Sequence, residues 1–470
     1  MILGRGVLWA MVLLCSDHAA VAYELVAPRP GAVVPAGAVL VEVKHCPEPQ
    51  GTVTLNGVTQ TPRWSRGSPK GRWSAWINAS PSAATQLRLN LDCGVGPQAV
   101  VSAFAVRPDA RSAVLEVGDR VAKNFMAKNP ARKLPWDWVD AVFLHGLAQF
   151  AEARALGPTS PTGAATAFWE YIAQFQGHVA RKGYPDIDRA DRCPSALSGL
   201  ALLRHNGDEA GLPGIQAVAD YVRYAPRLRN GALNHQGYKN ILAFFWPESI
   251  WVDSLMMYGL FAVQWGVHTH DHGLRDFGLD QQRIFANALL DGPTGLYRHS
   301  YNVKTGRRKS SGAVFWLRGN AWVAASLVDM IELTPLEHPW REGLVHVLRI
   351  HLAGYLPWRM SNGMWDTLIT EPGGNYSELS GSVLAAYAMA KAARLGLVEA
   401  SYRQKAWETM RSAAGRLSRT TAGHSVPEIS WSTMPYQYLG YKMIPRQSDL
   451  GYGVGSLLLL AGELSRGEQQ

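Results

Sequence analysis

The chain is predicted to be mainly helical, with a small immunoglobulin-like β-sandwich over 23–108 followed by an (α/α)6 double-ring toroid over 111–470. Three observations carry this. Residues 23–108 alternate apolar and polar side chains, broken at short intervals by Pro, Gly, Asn and Ser. From about residue 111 apolar positions recur with the period of a helix, in about a dozen segments. No parallel-strand pattern separates those segments, and no short regular repeat suggests a solenoid.

The N-terminus reads as a targeting segment. Arg5 precedes the apolar run "VLWAMVLLC", and "AVA" at 20–22 places a cleavage site before Tyr23, so residues 1–22 form a secretory signal. Leu14 before Cys15 is a poor lipoprotein signal, which favours free release. A secreted or periplasmic location is therefore expected. No later stretch is long and apolar enough to span a membrane.

The strands are "AVLVEVKHC", "GTVTLNG", "RWSAWINAS", "TQLRLNLDC" and "AVVSAFAVRP". Cys46 and Cys93 lie within this segment and can pair in an oxidising compartment, stapling a unit close to the minimum size for a core. Cys193 is then the odd thiol, with burial as its plainest reading.

The helices are expected at 112–127, 135–155, 162–178, 192–206, 212–224, 249–267, 272–289, 317–334, 341–355, 379–396, 401–417 and 452–466. Many stop at Gly or Pro, as in "ALGPTSPTG", "ALLDGPTG" and "LTPLEHP".

A net charge of +9 favours acidic partners, and 17 Trp fit a sugar ligand as well as core. Nucleic acid is disfavoured by the lack of a basic helix or base-stacking motif. No His or Cys spacing suggests a metal, and no cofactor motif is present. The oligomeric state is not legible.

One acid stands out. In "FFWPESIWVDSLMMYGL" at 244–260, Asp253 is written into one of the most apolar stretches of the chain. Pro247 can open a helix there, placing Asp253 in its second turn beside Met256 and Met257. Desolvation would raise its pKa and make it a proton donor. A structural Asp bonded to backbone or Arg is the plainer alternative. "WVDAVFLHGL" at 138–147 echoes "WVDSLMMYGL" at 251–260, which makes Asp140 a competitor.

Five ordered segments add a family resemblance. "ESIWVDSLMM", "GLYRHSYN" at 295–302, "FWLRGNAWVAASLVDMIE" at 315–332, "GMWDTLITEPGGNYSELSGSVLAAYAMAKAARLG" at 363–396 and "GYGVGSLLLLAGE" at 451–463 resemble the unsaturated glucuronyl and rhamnogalacturonyl hydrolases, glycoside hydrolase families 88 and 105. "NGALNHQ" at 230–236 is similar to a Gly–His turn that precedes the acid helix. The likeness spans about 111–466 and leaves out the sandwich; Leu317 and Ala321 replace two glycines around Arg318.

The resemblance implies removal of a 4,5-unsaturated uronic acid from the non-reducing end of lyase-generated oligosaccharides. Protonation of the vinyl ether at C4 and addition of water at C5 would replace attack at the anomeric carbon. It implies Asp253 as the acid and a second acid, best aligned at Asp191 with Asp188 behind it. Substrate contacts are implied for His299, Arg318, Trp316, Trp322, Trp365, His235 and Trp251. Arg318 would pair with the uronate carboxylate unless it instead pairs with a helix acid such as Glu332. The basic loop "TGRRKSSG" at 305–312 could collect anionic chains, and Trp64, Trp73 and Trp76 could form a second glycan surface. Two alternatives compete: a polysaccharide lyase recruiting His424, Tyr436 or Tyr438, and a non-catalytic glycan-binding protein.

Overall fold

The computed structural model describes residues 23–67, 71–94, 96–156, 162–246 and 248–467. The signal segment and Pro247 lie outside the described residues.

The N-terminal strands form two sheets. One runs Glu24–Ala27, Gly37–Lys44, Arg72–Ala79, Ser65–Arg66; the other runs Val33–Pro35, Pro97–Arg107, Ser82–Asp92, Gln50–Leu55, Val58–Gln60. Strand alternation drives this. Leu87, Leu89 and Leu91 point into a core with Val39, Val41, Val43 and Ile77, while Arg88 points outward. Cys46 and Cys93 are bonded beneath it, and Cys193 is a buried free thiol.

The three sandwich tryptophans do not form an open surface. Trp73 is buried and donates Nε1–H to the Cys46 carbonyl at 2.9 Å. Trp64 packs on the sandwich core. Trp76 donates to the Ser361 carbonyl at 2.8 Å, so it faces the helices.

The last strand ends at Arg107 and the first helix begins at Ala110, with Asp109 capping the amides of Arg111 and Ser112. The long helices that follow fall in two kinds. Trp138–Ala155, Leu317–Leu333, Leu379–Arg394 and Gly451–Ser465 are apolar on nearly every face and buried. Leu212–Tyr224, His272–Leu289 and Arg341–Tyr355 bury one stripe and expose the other. Gly451–Ser465 packs on both Trp138–Ala155 and Leu379–Arg394, which in turn packs on Leu317–Leu333. The tightest crossing rests on small residues: a Cβ on Gly146 would lie 2.3 Å from the Gly455 carbonyl oxygen.

The sandwich is fixed to the helices by buried charge. Glu42 accepts from Arg416, and Arg72 donates to Glu428 at 2.9 Å. Both partners are nearly solvent-free, so each charge depends on the other half of the chain.

One predicted element is corrected. The helix expected at 249–267 begins later, because Ser249–Trp251 is a strand paired antiparallel with Ser300–Asn302. Asp253 therefore stands at the opening of the helix, ahead of a π-helical stretch at Leu255–Gly259.

Candidate active site

Backbone pairing assembles the site. Trp251 lies opposite Ser300, and Val252 N–H donates to the His299 carbonyl at 3.0 Å, which sets Asp253 beside His299. A second crossing brings in the remaining acid. His235 N–H donates to the Ser249 carbonyl at 2.9 Å, and its own carbonyl accepts from Ala190 N–H at 3.0 Å. The segment around 235 thus bridges the Asp191 turn to the Asp253 strand. Gly237 permits this, since its φ is +63° and a Cβ there would lie 1.8 Å from the Asp188 carbonyl oxygen.

Asp253 Oδ2 lies 3.1 Å from His299 Nε2, and His299 Nδ1 lies 2.7 Å from the Tyr441 hydroxyl. The His299 ring stacks on Trp316 at 4.4 Å. Across from this pair, His235 Nε2 lies 3.6 Å from Asp191 Oδ1, and its Nδ1 is 2.9 Å from Ser254 Oγ. The His235 ring stacks on Trp251 at 4.2 Å. Both imidazoles are buried, whereas the Asp253 and Asp191 side chains keep 14% and 20% exposure. The acids are what an incoming ligand can reach.

The electrostatics reverse one expectation. Burial alone would raise Asp253, but the His299 charge and its hydrogen bond outweigh burial and hold the carboxyl below its usual value. The raised group is Asp191, pushed up to about 8 by burial and then by the charges of Asp253 and Asp137. His235 falls to about 4, chiefly through burial, and is neutral at physiological pH. The two carboxyls are driven apart, Asp191 towards keeping its proton and Asp253 towards losing it. Such a split is the usual mark of paired acid and base roles.

Asp188 instead pairs with Arg189 at 3.2 Å, which leaves Asp191 as the acid facing Asp253. Asp140 is raised to about 6 by burial and then by Asp137, at the start of the helix Trp138–Ala155.

Other expected contacts are corrected. Arg318 is fully buried: it donates to the carbonyls of Ser430 at 2.8 Å and Trp431 at 2.9 Å and to Thr433 Oγ1 at 3.1 Å, beside Glu378 at 3.9 Å. Its donors clasp the 430–433 segment rather than face a ligand, and Glu332 pairs with Lys391 and Arg394 instead. Trp322 and Trp365 are fully buried core, and Trp316 backs His299 with 2% exposure. His299 has both ring nitrogens engaged by protein groups, so it acts on Asp253. Trp251 is 3% exposed and supports His235.

Tyr441, Ser254 and Asp137 escaped the sequence reading. Tyr441 sits in "YQYLGYK" with no spacing to mark it, 142 residues from His299. The lyase candidates fall elsewhere: His424 binds the Gly31 carbonyl and Tyr438 binds Glu371. Tyr436 touches the site only through its N–H and ring against Tyr441. The basic loop does adjoin it, because Arg308–Lys309 pairs with Ser300–Tyr301.

The profile of Glycosyl Hydrolase Family 88 matches residues 117–467. The chain belongs to this family. It is accordingly a glycoside hydrolase. The family match begins after the sandwich. Among curated relatives, the unsaturated rhamnogalacturonyl hydrolase YesR of Bacillus subtilis is 27% identical over 365 residues, 75% of this chain and 94% of that protein. Among solved structures, a possible glycoside hydrolase family 105 member from Salmonella enterica serovar Paratyphi A superposes with a TM-score of 0.65 at 22% identity, covering 76% of this chain and 94% of that one. The unsaturated glucuronyl hydrolase of Bacillus sp. GL1 gives 0.57 at 16% identity, covering 76% and 97%. These structural likenesses speak to the fold of the helical part.

Proposed function

We propose that this enzyme removes a 4,5-unsaturated uronic acid from the non-reducing end of oligosaccharides left by polysaccharide lyases. The observation that carries the reading is the pair Asp191 and Asp253, two partly open carboxyls in an imidazole-lined site whose pKa values are driven apart in opposite directions, within a family 88 chain. Named relatives point the same way.

The unsaturated ring is a vinyl ether. Its carboxylate adds negative charge to a site holding one proton on two acids, and that charge raises the proton affinity of Asp253, which takes up a second proton from solvent as the substrate binds. Asp253 then delivers a proton to C4, leaving an oxocarbenium-like C5. Water adds at C5 while the ionised Asp253 takes its proton, and the hemiketal opens to release the remaining glycan. Asp191 stays protonated, donates to the sugar and avoids a third negative charge. With Arg318 consumed by the protein, the positive charge that reaches Asp191 comes from Arg189, itself paired with Asp188, and Arg192, which donates to the Trp136 carbonyl at 3.0 Å.

The reading includes an (α/α)6 double ring for the helices, supported by the succession of buried and amphipathic helices, and an immunoglobulin-like sandwich over 23–108. It also includes export through the 1–22 signal, supported by the Cys46–Cys93 bond.

The test is spectroscopic. Purified protein is expected to erase the ultraviolet absorbance of the C4=C5 bond in lyase products, and Asp253→Asn to abolish this with circular dichroism unchanged. A lyase would create that absorbance. Full activity in Asp253→Asn would refute the assignment.

A further inference from the structure

A file of aromatic rings leads from bulk solvent to the catalytic carboxyls. Phe244 and Phe245, on the short helix Ile241–Phe245, are 79% and 63% exposed. Their ring centroids are 5.5 Å apart, Phe245 is 6.2 Å from Trp246, and Trp246 is 6.1 Å from Trp251. Trp251 stacks on His235 and stands 5.9 Å from His299, the imidazoles that flank Asp191 and Asp253. Two exposed Phe side by side are costly in water and mark a contact surface. Nothing in the described core needs them there. Their continuity with the site indicates what covers them.

We propose that Phe244, Phe245 and Trp246 form a binding track for the pyranose rings that follow the scissile bond. The inference rests on the proposed function and adds its distal subsites. The C–H face of a pyranose is apolar and flat enough to lie on an aromatic ring, and phenylalanine offers no hydrogen bond to read hydroxyls. The track thus selects for chain length and ring face and tolerates varied substituents. Tyr238 and Lys239, on the same segment, line a cavity of about 580 Å³ with Asp186, Asp188, Tyr221 and Tyr224. Lys239 is exposed, and the same cavity presents the carboxyls of Asp186, Asp188 and Asp220, which can accept from sugar hydroxyls.

The experiment compares an unsaturated disaccharide with an unsaturated tetrasaccharide of the same repeat, using the full chain and the double variant Phe244→Ala/Phe245→Ala. Both side chains are exposed, so the variant should fold. The tetrasaccharide KM is expected to rise about tenfold with kcat held, while kcat/KM for the disaccharide moves less than about twofold. Equal losses on both substrates, or none on either, would overturn the proposal. So would a wild-type dimer that the double substitution dissociates, since the patch would then be a self-association surface. If the wild type turns over neither substrate, the function reading fails separately. The track is then judged by calorimetry with the same tetrasaccharide, where absent binding, or binding unchanged by the substitutions, overturns it.

Discussion

His299 Nε2 lies 3.1 Å from Asp253 Oδ2, and the other nitrogen of that ring is held by Tyr441 at 2.7 Å. The phenol sets the plane of the imidazole, and the imidazole sets the charge of the acid. Tyr441→Phe removes one hydrogen bond worth about 1 kcal/mol. A fall in kcat of about fivefold is expected, with the pH profile displaced because Asp253 loses its fixed neighbour. An unchanged profile would separate Tyr441 from the reaction.

The rate is expected to fall as pH rises through about 8, where Asp191 loses its proton and adds a second negative charge beside the uronate. Asp191→Asn should remove this alkaline limb while lowering kcat. Rates measured across the pH range for both proteins decide it.

Stability should also fall as pH rises. Asp191 has a folded-state pKa above its unfolded value, so its contribution is fully present below the ordinary carboxyl pKa of about 4 and is lost as pH rises towards 8. Asp191→Asn is therefore expected to raise the thermal midpoint at pH 8 and to leave it nearly unchanged at pH 4. Paired calorimetric scans at the two pH values test the sign.

Arg318 is predicted to act on structure. Replacing it with Leu strands the buried Glu378 and frees the 430–433 segment, at about 3–5 kcal/mol. Denaturant unfolding should show the loss, and hydrogen exchange should show new opening at Ser430 and Trp431. A variant of native stability with only a raised KM would restore the substrate role.

The Cys46–Cys93 bond spans a separation of 47 residues. Chain entropy assigns roughly 4 kcal/mol to a loop of that size. The double Ala variant should unfold at lower denaturant, and first in the sandwich, as read by Trp73 fluorescence.

Periodicity made the elements legible from sequence. Alternation over residues such as Leu87, Leu89 and Leu91 marked the strands, and apolar recurrence marked the helices, because both patterns are local. The acid in its apolar stretch and the motifs around it were legible for the same reason. Local patterning failed at Ser249–Trp251, where pairing with Ser300–Asn302 overrode an apolar run that also suits a helix.

Charge and contact were decided by the tertiary structure. Asp253 was expected to hold a raised pKa from its apolar neighbours, yet its ionisation is set by His299, 46 residues away, and by the chain crossing at His235. Asp191 is the group pushed up because folding buries it and places it near Asp253 and Asp137. Arg318 matched a substrate-binding motif, but its donors meet Ser430, Trp431 and Thr433, more than a hundred residues on. Residue type and spacing specify which groups can do chemistry. Which of them keeps a proton or an open face follows from desolvation and through-space charge, and these exist only once distant segments pack.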